Sequence, residues 1–208
     1  MRRARKIAEL LDAAMAIVER DGVDALTMPR LAEAADVAVG GLYRYFDSKD
    51  ALMAGLQVRA AEDLGAFLDE RIAAVEEPIG RVRVAFGTWA AWADRSPALY
   101  RLVDASLSDP RVLLTDADAR KVDESVRPIL RRCADLLDAA AASGHLLPGD
   151  AEVRALAVWA ALRGVRHLRK RDRLLPEPLH SARIGEVVLE GLLAGWGPAG
   201  GAMAAPTL

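Results

Sequence analysis

The sequence of 208 residues has little of several features that define other protein classes. It contains a single cysteine, Cys133, which excludes an internal disulfide and a cysteine-based zinc site. Aromatic residues make up 5%, and no run of alternating β-branched residues is present, so strands are not expected. No stretch of 18 uninterrupted apolar residues exists, and acidic residues appear too early for an N-terminal signal peptide. These absences predict a cytoplasmic protein that does not enter a membrane.

The sequence also lacks a clear excess of charge. The formal net charge is −2, which gives no general argument for a nucleic-acid partner. Even residues 1–52 hold 8 Lys and Arg against 9 Asp and Glu. The basic residues of this segment are nevertheless concentrated at its start, at Arg2, Arg3, Arg5 and Lys6. The charge pattern therefore indicates a short basic arm on a nearly neutral domain.

Patterns for catalysis and metal binding are missing as well. The three histidines, His145, His167 and His180, share no metal-ligand spacing, and no serine, histidine and acid are arranged as in a hydrolase. We therefore expect no catalytic residue, no metal and no cofactor. What the sequence does have is a hydrophobic fraction of 52%, much of it alanine and leucine, the strongest helix formers. An all-α protein is predicted.

Apolar periodicity and breakers predict about nine helices. The first ends at Asp21-Gly22, and the second follows Thr27 as N-cap with Pro29 in its first turn. A short third helix covers Val39 to Phe46, and a long fourth runs from Lys49 to Ile72. Longer apolar helices are predicted at 79–94, 96–106, 116–143, 150–171 and 179–196. The breaks between them include Asp109-Pro110, and Pro128 is expected to kink or split the helix at 116–143.

This pattern predicts a division into three parts. Residues 1–52 form a three-helix segment that contains two short helices, and residues 53–196 form a segment of longer, more apolar helices. Residues 197–208 are small and uncharged, so we expect a disordered tail.

The stretch "DVAVGGLYRYFDSKDAL", residues 36–52, carries the functional argument. Two short helices joined by a tight turn match a helix-turn-helix, whose second helix enters the major groove. The glycines let that helix approach DNA closely, while Tyr43 and Lys49 suit phosphate. The alternative is a flexible glycine loop with half-buried tyrosines. The residues expected to face inward are Leu26, Leu31, Ala32, Ala35, Val37, Leu42, Phe46 and Leu52.

The segment "LTMPRLAEAADVAVGGLYRYFDSKDAL", residues 26–52, resembles the DNA-binding domain of the tetracycline-repressor (TetR) family of bacterial transcription regulators. The resemblance covers about residues 5–55. It implies an all-α homodimer that binds double-stranded operator DNA and is released from it by a small effector. Residues 1–52 would then be the helix-turn-helix DNA-binding domain, and residues 53–196 the helical effector-binding and dimerisation domain. The resemblance also implies these DNA-binding residues: Thr27 as N-cap and backbone contact, Tyr43 and Lys49 on phosphates, and Val39, Gly40, Gly41, Arg44 and Tyr45 facing the groove.

Three departures from the family pattern bear on sequence readout. Ala38 replaces the usual serine that caps the recognition helix, a poorer cap by ~1 kcal/mol. Gly41 stands at a position that commonly carries a hydroxyl, and Pro29 replaces a frequent polar residue. Only Arg44 and Tyr45 then reach the bases directly, so binding is expected to depend on DNA shape and backbone contacts.

The second half of the chain has aromatic residues among small alanines, which suits an apolar cavity with few polar anchors. The candidate effector-binding residues are Phe86, Trp89, Trp92, Tyr100, Trp159 and Arg163. Arg163 lies one turn from Trp159 and is the candidate anchor for a polar or anionic group. The alternative is that these tryptophans are ordinary core and that Arg163 pairs with a buried acid.

Small residues also occur at helix-packing spacing in the last two helices: Ala157, Ala161 and Gly164, then Gly191 and Gly195. The resemblance implies that these helices form a four-helix dimer interface, with the apolar face Ile184, Val187, Val188 and Leu192. The same face fits an internal core. Three functions remain open at this point: a ligand-responsive repressor, a constitutive DNA-binding regulator with a filled core, and an all-α enzyme.

Overall fold

The computed structural model describes residues 2–108 and 114–198, without the side chains of residues 105–108. This part of the chain contains nine α-helices and no strand. The break predicted at Asp109-Pro110 and nearly all of the predicted tail lie outside it. The helices are α1 (Arg2–Asp21), α2 (Met28–Ala34), α3 (Val39–Leu42), α4 (Lys49–Ala73), α5 (Pro78–Arg95), α6 (Pro97–Ser108), α7 (Asp116–Ala142), α8 (Ala151–His167) and α9 (Ser181–Trp196).

The predicted end of the first helix and the predicted start of the second are confirmed. Helix α1 ends where Gly22 adopts a φ of 89°, a left-handed conformation that favours glycine. The Thr27 side chain caps α2 by accepting a hydrogen bond from Arg30 N at 3.3 Å. Pro29 lies in the first turn of α2, where its missing N–H costs little.

Two predicted helices are shorter than expected. Helix α3 ends at Leu42 and not at Phe46, because Ala38 supplies no side-chain cap and two of its four residues are glycines. Helix α8 ends at His167 and not at residue 171, and 3₁₀ turns follow at Leu168–Leu174 and Glu177–Leu179. Like charges four residues apart, such as Arg166 with Lys170, disfavour a longer α-helix here.

Pro128 lies inside α7 and does not split it, since the helix continues from Asp116 to Ala142. Among the described residues, no helix is long and apolar enough to cross a membrane.

The chain forms two compact units. The first comprises residues 1–67 and 91–127, and the second comprises residues 68–90 and 128–208. The predicted division at residues 52 and 53 stays a prediction about function. In the first unit, α1 to α3 pack around large buried side chains, which include Leu10, Ile17, Val18, Leu26, Leu31 and Leu42. This core fixes which residues of the short helices face outward.

The second unit has a core of its own. Its buried side chains come from the end of α4 and from α5, α7, α8 and α9, and include Leu68, Val82, Phe86, Leu137, Val158 and Leu189. Arg83 on α5 donates two hydrogen bonds to the Glu190 carboxylate on α9, at 2.7 and 2.9 Å. The hydrogen bond to the Glu190 carboxylate raises the pKa of the Arg83 guanidinium, and the pair joins α5 to α9.

Candidate nucleic-acid interface

The turn between α2 and α3 is built by backbone hydrogen bonds. Val37 N donates to the Ala32 carbonyl at 2.9 Å, and Asp36 N donates to the Glu33 carbonyl at 3.2 Å. Asp36 has a φ of 51°, the left-handed conformation that this kind of helix end requires. Aspartate tolerates that conformation better than most side chains, which is the sequence signal for this turn. The turn sets the direction of α3 relative to α2.

Helix α3 is anchored by its inward side chains. Leu42 has no exposed surface, and Phe46, one turn later, is 6% exposed. The Leu42 carbonyl accepts hydrogen bonds from Tyr45 N at 2.8 Å and Phe46 N at 3.0 Å, which continues the turn beyond the helix. Buried side chains on one side leave Tyr43 and Arg44 exposed on the other.

The two glycines of α3 face open space. Among the described residues, a Cβ atom on Gly40 or Gly41 would meet nothing within 4 Å apart from its chain neighbours and the backbone of α3. Packing within the chain therefore does not require glycine at either position. Their small size leaves the outer surface of α3 without side chains beside Tyr43 and Arg44, which is the surface that the sequence predicted for DNA.

The predicted DNA-binding residues all have accessible surface. Tyr43 is 49% exposed and Val39 is 37% exposed. Thr27, Gly40, Arg44 and Lys49 are also exposed, whereas Gly41 and Tyr45 are half-buried. Lys49 is the first residue of α4, whose N-terminus is capped by Ser48 Oγ accepting from Ala51 N at 3.0 Å. Of the residues predicted to face inward, Ala35 and Val37 are only partly buried and the other six are buried.

Two contacts of this unit were not predicted from the sequence. The Asp21 carboxylate at the end of α1 pairs with both Arg20 and Arg30, and the hydrogen bond from Arg20 is the main cause that lowers the pKa of Asp21. Arg3 donates a hydrogen bond to the Arg44 carbonyl at 3.2 Å across 41 positions of the sequence. Arg20 is the neighbour of Asp21 in α1, whereas Arg30 lies on α2 and Arg44 lies after α3, so no local pattern predicts the contacts of Arg30 and Arg3.

This architecture matches known proteins. Residues 10–56 match the family model described as "Bacterial regulatory proteins, tetR family". The repressor KstR of Mycolicibacterium smegmatis is 39% identical over 90 residues, which are 43% of this chain and 44% of the relative. The chain thus matches less than half the length of KstR. The transcriptional regulator BetI of Paraburkholderia phymatum is 30% identical over 157 residues, 67% of this chain and 78% of the relative.

The chain belongs to the tetR family of bacterial regulatory proteins. A solved structure of a protein of unknown function from Rhodococcus sp. RHA1 has the same fold, with a TM-score of 0.74 at 22% identity. The match covers 92% of this chain and 95% of that one. Because the identity is low, this likeness supports the all-α architecture and nothing more specific.

The candidate effector-binding residues of this tetR-family chain are divided between its two units. Trp92 and Tyr100 lie in the first unit, and Phe86, Trp89, Trp159 and Arg163 lie in the second. Trp92 has no exposed surface, and its indole N–H donates to the Asp63 carboxylate at 2.7 Å. That environment is typical of a core tryptophan, because its one polar atom already has a partner within the protein.

In the second unit, Trp89 and Trp159 meet edge to face, with ring centroids 6.2 Å apart and planes at 71°. The Arg163 guanidinium carbon lies 5.8 Å from the centroid of the Trp159 ring. Phe86 is buried in the neighbouring core, while Trp89, Trp159 and Arg163 are partly exposed. These three side chains thus combine flat apolar surface with one positive charge.

Helices α8 and α9 present an exposed apolar surface, which we call the α8–α9 face. Val153 and Leu156 on α8 are 60% and 47% exposed, and Val187 on α9 is 53% exposed. The small residues of this face are also exposed: Ala157, Ala160 and Gly164 on α8, and Gly191, Ala194 and Gly195 on α9. Of the apolar face predicted for α9, Val187 points outward, whereas Ile184, Val188 and Leu192 are partly buried. Leu189 and Leu193 supply the buried side of the helix.

One serine, one histidine and one acid do lie close together at the end of α7. Ser143 Oγ is 2.9 Å from His145 Nδ1, and His145 Nε2 is 3.6 Å from Glu77 Oε1. Ser143 Oγ also donates to the Ala140 carbonyl at 3.0 Å, which ties the serine to the last turn of the helix. This cluster closes the end of α7.

Metal-ligating side chains and the cysteine thiol are the other reactive groups of the described residues. No group of three or more His, Cys, Asp or Glu side chains within them is placed to hold a metal ion. Burial raises the pKa of the Cys133 thiol to about 11, so little thiolate is present near neutral pH.

Proposed function

We propose that this chain is a transcription repressor that binds operator DNA as a homodimer and leaves it when a small effector binds. The observation that carries the proposal is the outer surface of α3 and the start of α4. There, exposed Tyr43, Arg44 and Lys49 surround two glycines that leave the helix backbone open. The donors can bind a polyanion, and the glycines allow it to approach the helix backbone closely.

The proposed roles of these residues follow from their reach. The Tyr43 hydroxyl and the Lys49 ammonium bind backbone phosphates, and Thr27 contacts the backbone beside the first helix of the motif. Val39, Gly40, Gly41, Arg44 and Tyr45 face the major groove. Because Arg44 and Tyr45 alone carry long polar side chains there, we propose that DNA shape supplies much of the sequence preference.

The α8–α9 face is the proposed dimer interface. Its exposed apolar residues are costly on a monomer, and its small residues permit close approach of two more helices. A two-fold dimer presents two recognition helices to two half-sites about one DNA turn, ~34–36 Å, or a multiple apart. Sedimentation velocity at micromolar concentration tests the proposed dimer. A protein that is monomeric both with and without operator DNA contradicts the proposal.

For the effector we propose a mostly apolar molecule, ring-containing or acyl, with one polar or anionic group. Trp89 and Trp159 supply the flat apolar surface, and Arg163 supplies the charge that anchors the polar end. Moving the protein from 1:99 to 99:1 between its two states requires ~5.5 kcal/mol of differential binding energy. Burial of an apolar molecule provides such an amount at ~25 cal/mol per Å².

A constitutive regulator with a filled core is the second candidate. The fully buried Trp92, bonded to Asp63, favours it because this side chain has no free surface for a ligand. The two candidates differ in one measurement. Binding to DNA is unchanged by every added ligand in the constitutive regulator and is weakened by the effector in the responsive one.

The first experiment is a fluorescence-anisotropy titration with duplexes that cover the DNA flanking the protein's own gene. We expect tight binding to at least one duplex and weaker binding to shuffled sequence. Lys49→Ala and Tyr43→Phe should weaken binding to all sequences about equally, and Lys49→Ala should reduce the salt slope by roughly one per subunit. Arg120→Gln, an exposed arginine on α7, is a control with the same loss of charge. A changed sequence preference with an intact salt slope contradicts the phosphate roles.

The effector proposal is tested with a panel of aromatic and acyl carboxylates, followed by tryptophan fluorescence and by release of labelled DNA. Arg163→Ala should weaken the response while the empty protein keeps its operator affinity. Arg163→Lys keeps the charge and serves as the matched variant. An Arg163→Ala protein with the wild-type effector affinity contradicts the role of Arg163.

A further inference from the structure

The first turn of α1 and the segment that follows α3 enclose a groove, of which the functional roles above use only Arg44 and Tyr45. The groove has a volume of about 720 Å³ and is lined by Arg2, Arg3, Arg5, Lys6, Glu9, Arg44 and Tyr45. Five of these seven side chains are cationic and only Glu9 is anionic. The sequence as a whole carries a net charge of −2, so this concentration of positive charge is local.

The cations of the groove are of two kinds. Glu9 is paired with Arg5 at 3.2 Å and with Lys6 at 3.4 Å, which partly neutralises both. Arg2, Arg3 and Arg44 have no carboxylate partner within the described part of the chain. All three are exposed. Unpaired guanidinium groups around one groove favour an anion with several acceptor oxygens.

Arg3 holds the groove together. Its Nη2 donates to the Arg44 carbonyl at 3.2 Å, which fixes the start of α1 beside the residues after α3. A guanidinium has five N–H donors, so this bond leaves others for a ligand. The bond also satisfies a carbonyl oxygen that would otherwise repel an approaching anion. The hydrogen bond therefore leaves the positive charge of Arg3 in the groove and occupies the Arg44 carbonyl oxygen, which carries a partial negative charge.

We propose that this groove binds a backbone phosphate of the DNA that flanks the bases facing α3. The inference rests on the proposed DNA-binding function and adds the basic arm to it. DNA is the anion that fits, because the groove shares Arg44 and Tyr45 with the surface proposed for the major groove. A phosphate held there extends the contact with the duplex beyond the half-site and fixes the register of α3. Glu9 limits the strength of this contact, since it occupies Arg5 and Lys6.

The test measures operator affinity against salt concentration for full-length wild type, Arg3→Gln, Arg2→Gln, Glu9→Gln and the control Arg120→Gln. Loss of one phosphate contact should reduce the slope of log K against log salt by roughly 0.9 per subunit. We expect this change in Arg3→Gln, a smaller one in Arg2→Gln and none in Arg120→Gln. Glu9→Gln should tighten binding and steepen the slope, because it frees Arg5 and Lys6.

A second measurement locates the contact on the DNA. The operator duplex is shortened from its outer ends in steps of two base pairs. Wild type should lose affinity when the flanking phosphate is removed, and Arg3→Gln should be insensitive to the same shortening. Thermal unfolding of each variant shows that the chain remains folded, and Arg2→Gln keeps the test valid should Arg3→Gln be unstable.

The outcomes separate this inference from the function on which it rests. If wild type binds the operator but Arg3→Gln and Arg2→Gln behave like Arg120→Gln, the phosphate groove is wrong and the repressor function stands. If wild type binds no duplex of any sequence, both are wrong. Weaker binding by Glu9→Gln than by wild type also contradicts the groove.

Discussion

Two exposed helical surfaces of this protein carry glycines that nothing within the chain requires. Gly40 lies on α3, and Gly164 and Gly191 lie on α8 and α9. Among the described residues, a Cβ atom on any of them would meet nothing within 4 Å apart from its chain neighbours and the backbone of its own helix. Glycine in a helix costs ~1 kcal/mol relative to alanine. On both surfaces the missing side chain therefore supports the proposal that a partner outside the chain packs there.

The side chains on these two surfaces differ, and the difference agrees with the two partners proposed above. Around Gly40 lie Tyr43, Arg44 and Lys49, which donate hydrogen bonds or carry positive charge. The helices that carry Gly164 and Gly191 also expose Val153, Leu156 and Val187, which are apolar. The first set matches a polyanion and the second matches another apolar helix pair. Glycine permits a close approach on each surface, and the surrounding chemistry selects what approaches.

The largest expected effect comes from placing a charge on the α8–α9 face. Val187→Glu buries two unpaired carboxylates in a two-fold interface, at a cost of several kcal/mol each. We expect the dissociation constant of the dimer to rise by a factor of about 100 or more. Sedimentation equilibrium measures it, and operator affinity should fall in parallel because one subunit holds only one half-site.

Ala182→Glu is the matched control, since residue 182 is exposed on a different face of α9. It should leave the dimer intact. If Val187→Glu dimerises as wild type does, the α8–α9 face is not the interface, and its glycines need another explanation.

Leu42→Ala tests the inward side of α3. This side chain is fully buried, and truncation of a buried leucine costs about 2–5 kcal/mol. Urea unfolding should show a loss of that size, and operator binding should be lost as α3 detaches from its core. Leu179→Ala, at a leucine that is 51% exposed, should cost far less. Equal losses for the two variants contradict the assignment of Leu42 as the anchor.

The inward residues of the helix-turn-helix were predictable because their determinants lie close together in the sequence. Thr27 caps α2 through an amide three residues away, and the spacing of Leu31, Leu42 and Phe46 defines one buried side. Helices α8 and α9 depend on longer contacts. The end of α8 was overestimated, since its apolar pattern continues into a basic run that forms 3₁₀ turns.

In the candidate sites, too, contacts between residues near in the sequence were predictable and contacts between distant residues were not. The exposure of Tyr43 and Lys49 could be predicted from local spacing, but the bond from Arg3 to the Arg44 carbonyl could not. Trp92 and Trp89 are three residues apart on α5 and have similar sequence surroundings. Only the fold shows that Trp92 bonds to Asp63 and that Trp89 packs against Trp159. A tryptophan's role as core or lining depends on distant residues that periodicity does not reveal.

Gly40→Ala is a smaller test that separates stability from binding on α3. Alanine is the better helix former by ~1 kcal/mol, and the site has room for its methyl group. We expect the free energy of unfolding to rise by up to about 1 kcal/mol while operator affinity falls. Urea unfolding and anisotropy titration measure the two quantities on the same sample. Unchanged operator affinity would show that DNA does not approach this position.

The smallest expected effect concerns the start of α9, which is capped from a distance. His180 supplies no side-chain cap, and the Asp172 carboxylate accepts instead from Ser181 Oγ at 2.7 Å and Ser181 N at 2.9 Å. The hydrogen bond from the Ser181 hydroxyl is the main cause that lowers the pKa of Asp172 in the folded protein. A lowered pKa means that the unfolded chain binds this proton more tightly than the folded one. The stabilisation is therefore fully present above the unfolded pKa, near ~3.9, and is lost as pH falls through the lower folded value.

Urea unfolding of wild type and Asp172→Ala between pH 7 and pH 2.5 measures this stabilisation. The difference between the two proteins should be constant at neutral pH and shrink below about pH 4. Asp24→Ala, an exposed aspartate of the first unit, is the control and should show no such change. A difference between wild type and Asp172→Ala that does not vary with pH would show that Asp172 acts by packing alone and does not cap α9 as a carboxylate.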